Sequence, residues 1–321
     1  MHILFFSHYF PPEVNAPAVR TYEHCREWVR QGHEVHVITC VPNHPQGEVY
    51  PGYETSLTPQ HEEMDGIHVH RVWNYIAPNK GFLGRTLNYF TYMLTAPLAA
   101  LNLPRPDVII ATSPQFFAAL SGAWAARWKG APFVVEIRDL WPESVVAVGA
   151  MERNLIVRFF EWVEKQLYRA ADHIVVVTDA FKSAIAEKGI DREKISVIKN
   201  GIETEWWEQS LDEERLAELR REHDLQDKFV ASYIGTIGMA HDAGVLLDAA
   251  ERCEDSEIVF TVVGTGAKRE ELEARQEEKR LDNFRLVDKV PKETVPYLLA
   301  LSDVSVVHLR DNPLFETVIP S

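Results

Sequence analysis

Short runs of consecutive apolar residues alternate along this chain with longer stretches in which apolar positions recur at helical spacing. His2–Phe6 reads as a buried strand, and Ala16 to Gln31 as a helix carrying Val19, Tyr22, Trp28 and Val29, stopped by Gly32. His33–Thr39 is the next strand and completes a β-loop-α-β unit. Val41 to Asp65 is polar and rich in proline and glycine, which predicts a long loop of the kind that usually serves function. Strands follow at Gly66–Val72, Asp107–Thr112, Phe133–Ile137 and Asp172–Thr178. Helices are predicted over Leu83–Leu103, around Phe116, Leu120 and Trp124, over Met151–Ala171 and over Ala180–Lys188. In the third of these, Leu155, Phe159, Trp162, Val163, Leu167 and Tyr168 share one apolar face. Lys194–Gly201 closes this half on an Asn-Gly turn signal.

The second half repeats the alternation. An acidic helix over Leu211–Asp227 precedes strands at 229–234, 258–263, 284–287 and 304–309, with helices at 243–252, 268–280 and 294–300 between them. Strand and helix in alternation predict parallel sheets with right-handed crossovers. Two nucleotide-fold starts, at His2 and at Phe229, predict an α/β protein of two Rossmann-like domains, 1–203 and 204–321, facing each other across a cleft.

Composition narrows the function classes. A chain of 321 residues is long enough for two cores, and 46% hydrophobic with 25% charged residues is ordinary for a globular protein. The formal net charge of −15 argues against nucleic acid as a partner, because phosphate neutralisation needs a basic surface. Cys25, Cys40 and Cys253 are scattered and form no C-x-x-C, so they read as buried thiols of a reducing cytoplasm. No secretory leader pattern is visible at Met1, and the longest apolar stretch, Leu87–Leu103, falls short of the roughly 20 residues a spanning helix needs. Residues 80–103 begin with Lys80 and Arg85 beside Tyr89, Phe90, Tyr92 and Met93. That entry reads equally as a peripheral surface touching lipid at the inner face of a membrane and as a core helix capped by solvated cations.

Candidate chemistry lies where strands end. Gly235-Thr236-Ile-Gly238-Met-Ala-His241 joins an apolar strand to a helix, so free N–H groups and close backbone approach suit a diphosphate. A plain β-α turn explains the loop equally well. Gly264-Thr-Gly266, with Lys268 and Arg269 just beyond, follows the next strand at the same edge, where ligands bind in open α/β sheets; alone it reads as a tight turn. Glu316 is the carboxylate nearest the end of the sequence. Arg138 and Asp139 leave the strand that carries Glu136 and read either as a site or as a structural ion pair. His8 and the loop to Asn15 occupy the matching edge of the first strand.

Some chemistries are not indicated. His68 and His70 have no third ligand nearby in sequence, and no Asp-x-Asp pair occurs, so no metal is expected. There is no G-x-x-x-x-G-K-[ST] loop, and Gly264-Thr-Gly266 lacks the third glycine of a dinucleotide fingerprint. No cofactor is expected.

Taken jointly, several segments resemble glycosyltransferase family 4, the retaining enzymes of two-domain GT-B fold, and most closely the bacterial transferases of L-fucosamine or related N-acetyl-aminosugars in surface polysaccharide assembly. They are His8–Glu13, Gly32-His-Glu-Val with Ile38-Thr39, Pro42-Asn43 through Tyr53, Arg138–Ser144, Asn200-Gly201, Gly235–His241, Val290–Glu293, Pro313–Phe315 and Val318–Ser321. The resemblance implies a UDP-sugar donor held by the second domain. Gly235, Thr236, Gly238 and His241, with Gly264 and Gly266, would face the diphosphate. Val290 and Pro291 would lie against the base, and Glu316, Thr317, Val318, Ile319, Pro320 and Ser321 would line the sugar pocket. His8, Glu13, Asn15 and Ala16 would meet a saccharide or polyprenyl-linked acceptor, with Arg138, Asp139 and Glu316 in catalytic roles. Asn15 and Ala16 stand where many members carry glycine, and Asp242 and Ala243 stand where the family's diphosphate lysine is usual. The paired-glutamate motif continues past Ile-Pro-Ser, so the second domain is expected to be incomplete at its C-terminus. A nucleotide-sugar epimerase of the same architecture and a donor-binding protein without turnover are the alternatives.

Overall fold

In the computed structural model, residues 1–78, 82–113, 115–147, 149, 152–201, 211–254, 256–312 and 315 are described. The chain divides into two units, Met1–Lys199 and Asn200–Ser321.

The first unit is built on strands β1 (His2–Phe6), β2 (Glu34–Cys40), β3 (Gln60–Met64), β4 (Ile67–Val72), β5 (Val108–Thr112), β6 (Phe133–Ile137), β7 (His173–Val176) and β8 (Ile195–Val197). Their order across the sheet is β3-β4-β2-β1-β5-β6-β7-β8. All neighbours run parallel except β3, which pairs antiparallel with β4. Central strands buried on both faces read as continuous apolar runs, as Ile3-Leu-Phe-Phe6 does. Helix α1 (Ala16–Arg30) covers one face, setting Tyr22, Trp28 and Val29 on Ile3, Phe5, Val35, Val37, Ile67 and Val69. On the other face lie α2 (Phe82–Leu101) and α3 (Phe116–Lys129). Tyr92 of α2 donates to the Ile38 carbonyl at 2.8 Å, and Gly122 brings α3 so close to Ala111 that a Cβ there would collide with it. Helices α4 (Glu143–Ala147), α5 (Leu155–Ala170) and α6 (Asp179–Glu187) complete the unit.

The second unit has a four-stranded parallel sheet ordered β11-β10-β9-β12, from β9 (Phe229–Ile234), β10 (Ile258–Val263), β11 (Phe284–Val287) and β12 (Val304–Ser305). Helices α7 (Glu213–Glu222), α8 (Gly244–Arg252), α9 (Arg269–Lys279) and α10 (Val295–Ala300) connect and cover it. Its core joins Tyr233, Ile237, Leu246, Leu247, Phe260, Val262 and Phe284.

The architecture is thus α/β with two Rossmann-like units, and several local expectations change. The polar stretch 41–65 is not all loop, because Gln60–Met64 adds an antiparallel edge strand turned by Asp65-Gly66, both at positive φ. Helix α5 starts at Leu155, where Asn154 caps the Ile156 and Val157 amides. Its apolar residues split: Leu167 and Tyr168 are buried, while Leu155, Phe159 and Trp162 are exposed. Helix α7 is shorter than the pattern suggested, and β12 keeps only two residues of a predicted six. Phe229, in register with Ile258, stands exposed at the open start of β9.

Candidate functional site

Those sequence-predicted residues that lie among the described ones gather at the carboxyl edges of the two sheets. In the second unit, β9 and β10 end side by side, Ile234 opposite Val263, so their two glycine loops emerge together. The loops are locked backbone to backbone. The Ile237 amide donates to the Thr265 carbonyl at 3.0 Å, and the Lys268 amide to the Ile237 carbonyl at 3.0 Å. Gly264 (φ 144°) and Gly266 (φ 158°) permit this, since a Cβ at either would overlap the carbonyl of Gly235 or Ile237. Gly235 and Thr236 are exposed at the rim, and Tyr233 holds the Thr236 carbonyl at 2.7 Å. Val290 and Pro291 lie just past β11, whose Val287 carbonyl accepts from the Gly264 amide, so the segment expected to lie against a base shares this edge.

Helix α8 begins three residues past His241, at Gly244. Its cap residue, Ala243, offers no side-chain acceptor, and the Val245 and Leu246 amides turn onto the Asp242 and Ala243 carbonyls at 3.0 and 3.2 Å, so the helix start meets an anion through its dipole. His241 is half-buried and its Nδ1 has no hydrogen-bond partner among the described residues. Burial lowers its pKa, and His308 nearby lowers it further, so it stands as a neutral imidazole. A pocket beside this helix start is lined by Ile237, Met239, His241, Lys268, Arg275 and Arg310, among others. The Arg310 amide donates to the Ala240 carbonyl at 2.9 Å, which brings that residue to the loop. His308, Arg275 and Arg310 were not singled out from sequence; Arg275 comes from the helix that follows the Gly264–Gly266 loop, while His308 and Arg310 lie far along the chain and are joined to it by the sheet order. Arg269, just past the second loop, is not available to an anion: its guanidinium donates to the Gly264 and Val287 carbonyls and pairs with Glu273 and Asp288. It fastens the loop instead. Lys268 pairs with Glu271. Glu316, Thr317, Val318, Ile319, Pro320 and Ser321 lie outside the described residues.

In the first unit, His8 follows β1 and is buried among Tyr9, Tyr89 and Tyr92, with ring centroids 4.8, 4.9 and 5.0 Å away. Burial, with a smaller contribution from His44, lowers its pKa to about 3 against a hydrogen bond from Asn88. His8 is therefore neutral, and its Nδ1 is buried without a partner among the described residues. A small pocket beside it is bordered by His44, Arg85, Asn88 and Tyr89, so the start of α2 forms one wall. Glu13 and Asn15 do local work. The Glu13 carboxylate accepts from the Asn43 and His44 amides, both at 2.9 Å, and pins that loop over the edge. Burial raises its pKa to about 7 despite those two amides and nearby Arg71. Asn15 caps α1 through its Oδ1 at 2.9 Å from the Ala18 amide, and Ala16 is the exposed first residue of that helix.

Arg138 leaves β6 at the same edge. Glu136, two residues earlier, is buried and taken by Arg20 at 2.6 Å and by the Thr112 hydroxyl at 2.7 Å. Burial opposes its charge, but Arg20 and these hydrogen bonds keep its pKa below the usual range. With Glu136 engaged, the Nε and Nη1 groups of Arg138 are buried without partners among the described residues. Asp139 accepts from Ser144 at 2.8 Å, and burial raises its pKa. An ion pair does form here, between Arg20 and Glu136, and it leaves unmatched donors on Arg138 that suit an anionic group. Arg20 was not anticipated; a helix residue says nothing in sequence of the strand partner 116 positions away.

The family model for a glycosyl transferase 4-like domain matches residues 15–201. The chain is 26% identical over 327 residues to a protein of Escherichia coli K12 that carries the name of a colanic acid biosynthesis glycosyl transferase, WcaI, covering all of this chain and 79% of that one. Among solved structures, Anabaena HepE in complex with UDP-glucose aligns with a TM-score of 0.64 at 17% identity, covering 95% of this chain and 73% of HepE. The catalytic domain of starch synthase IV of Arabidopsis thaliana, bound to ADP and acarbose, aligns with a TM-score of 0.69 at 14% identity, covering 95% and 77%.

Proposed function

The chain belongs to the family of the glycosyl transferase 4-like domain and is a glycosyltransferase; on that premise we propose that it moves an N-acetylated aminosugar from UDP to a growing surface polysaccharide or its polyprenyl-linked precursor, with retention at the anomeric carbon. The observation that carries the donor side is the interlocked pair of loops, Gly235–His241 and Gly264–Gly266, at one sheet edge beside a helix start that has no side-chain cap. Amide dipoles fixed there would take up the charge that develops on the departing diphosphate. UDP as the carrier follows from the likeness to HepE with bound UDP-glucose, and polysaccharide assembly from WcaI. The sugar's identity and the retained configuration rest on the motif resemblance.

On the acceptor side, Arg138 would hold an acceptor phosphate or hydroxyl, with Asp139 beside it and His8 as a neutral hydrogen-bonding group. Lipid linkage draws support from α2. Leu83, Leu87, Phe90, Leu94, Leu98 and Leu101 are all exposed along it, and the helix begins at the wall of the His8 pocket. Among the described residues no helix is long and apolar enough to cross a membrane. The stripe would instead lie on the lipid surface, at the inner face, with the pocket at the level of the headgroups. Lys80 of the predicted basic entry lies outside the described residues.

The deciding experiment incubates the protein with a panel of UDP-sugars, with and without polyprenyl-phosphate or saccharide acceptors, and reads products by mass spectrometry and anomeric coupling constants. A glycosylated acceptor of unchanged anomeric configuration is expected. An epimerised UDP-sugar formed without acceptor would move the chain to the epimerases, and donor binding with no product would leave it a binding protein. Arg138→Ala should lower transfer about a hundredfold while leaving UDP affinity unchanged.

A further inference from the structure

The amino-terminal ends of β1, β2 and β4 carry a cluster of imidazoles that the transfer reaction does not use. His2 stands opposite Glu34, and His36 opposite His68, in the parallel register of these strands. Period-two alternation then places His2, Glu34, His36, His68 and His70 on one sheet face. Ring centroids are 4.7 Å apart for His2 and His36 and 4.6 Å for His36 and His68. Candidate ligand atoms of His2, Glu34 and His36, one from each, all lie within 4.8 Å of one another.

Two details point to a cation. First, the Nε2 of His2 is buried and has no hydrogen-bond partner among the described residues, a cost in folding that a bound ion would remove. Second, His36 is buried with Nδ1 at 2.9 Å from His70 Nε2 and Nε2 at 3.0 Å from Glu34 Oε1. With Nε2–H donating to Glu34 the pair needs no ion; with Nδ1–H donating to His70, the Nε2 lone pair and the Glu34 carboxylate both face one point that a cation can occupy. A metal-bound imidazole that gives its other N–H to a fixed acceptor is the usual arrangement at such centres.

We propose that His2, Glu34 and His36 form a binding site for a divalent transition ion, zinc by the nature of the ligand set, with His70 positioning His36. Two nitrogens and one carboxylate oxygen leave a fourth tetrahedral position to water. Zinc–nitrogen bonds of about 2.0–2.1 Å put ligand atoms roughly 3.4 Å apart, so the cluster closes slightly on the ion. The exposed side chain of Glu34 is free to supply that movement. Sequence spacing hid the site because Glu34 and His36 of β2 need His2 of β1, thirty-two positions before Glu34, to complete the set; His68 and His70 alone gave no ligand set. The site sits one strand length, roughly 17 Å, from the carboxyl edge, so it clamps β1 to β2 and takes no part in transfer.

The test uses the full chain without an affinity tag, stripped with a chelator and titrated with zinc by calorimetry, with cobalt(II) absorption reporting geometry. One equivalent of zinc is expected at micromolar affinity or better, with tetrahedral cobalt bands and a raised melting temperature. Glu34→Gln, an exposed change that leaves the fold intact, and His36→Gln should each weaken binding at least tenfold. His70→Gln should weaken it 10–100-fold, and His223→Gln, in the second unit, should leave it unchanged. No uptake at micromolar zinc by the unaltered protein, or affinity unchanged in both Glu34→Gln and His36→Gln, overturns the proposal.

Discussion

At the scale of single residues, burial sets protonation. Glu13 is held with its pKa raised to about 7, against an ordinary value near 4.5. A carboxyl raised on folding binds more protons in the native than in the unfolded state between those two values. Its contribution is therefore fully present below pH 4.5 and lost as pH rises through 7. Glu13→Gln keeps an acceptor for the Asn43 and His44 amides without the charge. Relative to the unaltered protein, the variant should gain roughly 2–3 kcal/mol between pH 5 and pH 8, read from urea unfolding at both pH values. The Arg20–Glu136 pair behaves differently, because both partners are buried and matched. Arg20→Met strands the Glu136 carboxylate, and a loss of about 3 kcal/mol or more is expected in the same unfolding assay. Arg138 should then turn toward Glu136 and be lost to any anionic ligand.

At the scale of elements, the glycine loops and α2 make opposite demands. Gly264→Ala would drive a Cβ into the Gly235 carbonyl at a φ that L-residues avoid. The expected result is a loss of about 2 kcal/mol or more in stability, with UDP affinity falling in parallel as the loops separate. Leu87, Leu94 and Leu98 touch solvent, so replacing all three by serine should change the melting temperature little. If the stripe meets lipid, the triple variant should lose sedimentation with anionic vesicles that the unaltered protein shows, and vesicle binding that persists would remove α2 from that role. The exposed part of α5 (Leu155, Phe159, Trp162) shows why an amphipathic pattern locates an apolar face without saying what covers it.

At the scale of the whole molecule, each unit has a separate hydrophobic core, and the glycine loops proposed to hold the donor belong wholly to the second. A ligand that binds only the native state stabilises it by mass action. UDP at a hundred times its dissociation constant should add about 2.7 kcal/mol. Hydrogen exchange should slow at residues 235–243 and 264–268. Protection elsewhere, with none in those loops, would move the donor site.

The α/β class and the strand-helix alternation were legible in the sequence because apolar runs and helical spacing are local properties of the chain. So were the glycine loops, since a positive φ and a close backbone approach demand a particular residue type at a particular place. The partnerships were not. That Arg20 neutralises Glu136, that Arg269 reaches the Val287 carbonyl, and that His2, Glu34 and His36 converge depend on strand order and register. Those are fixed by packing between segments far apart in the chain, and no local pattern encodes them.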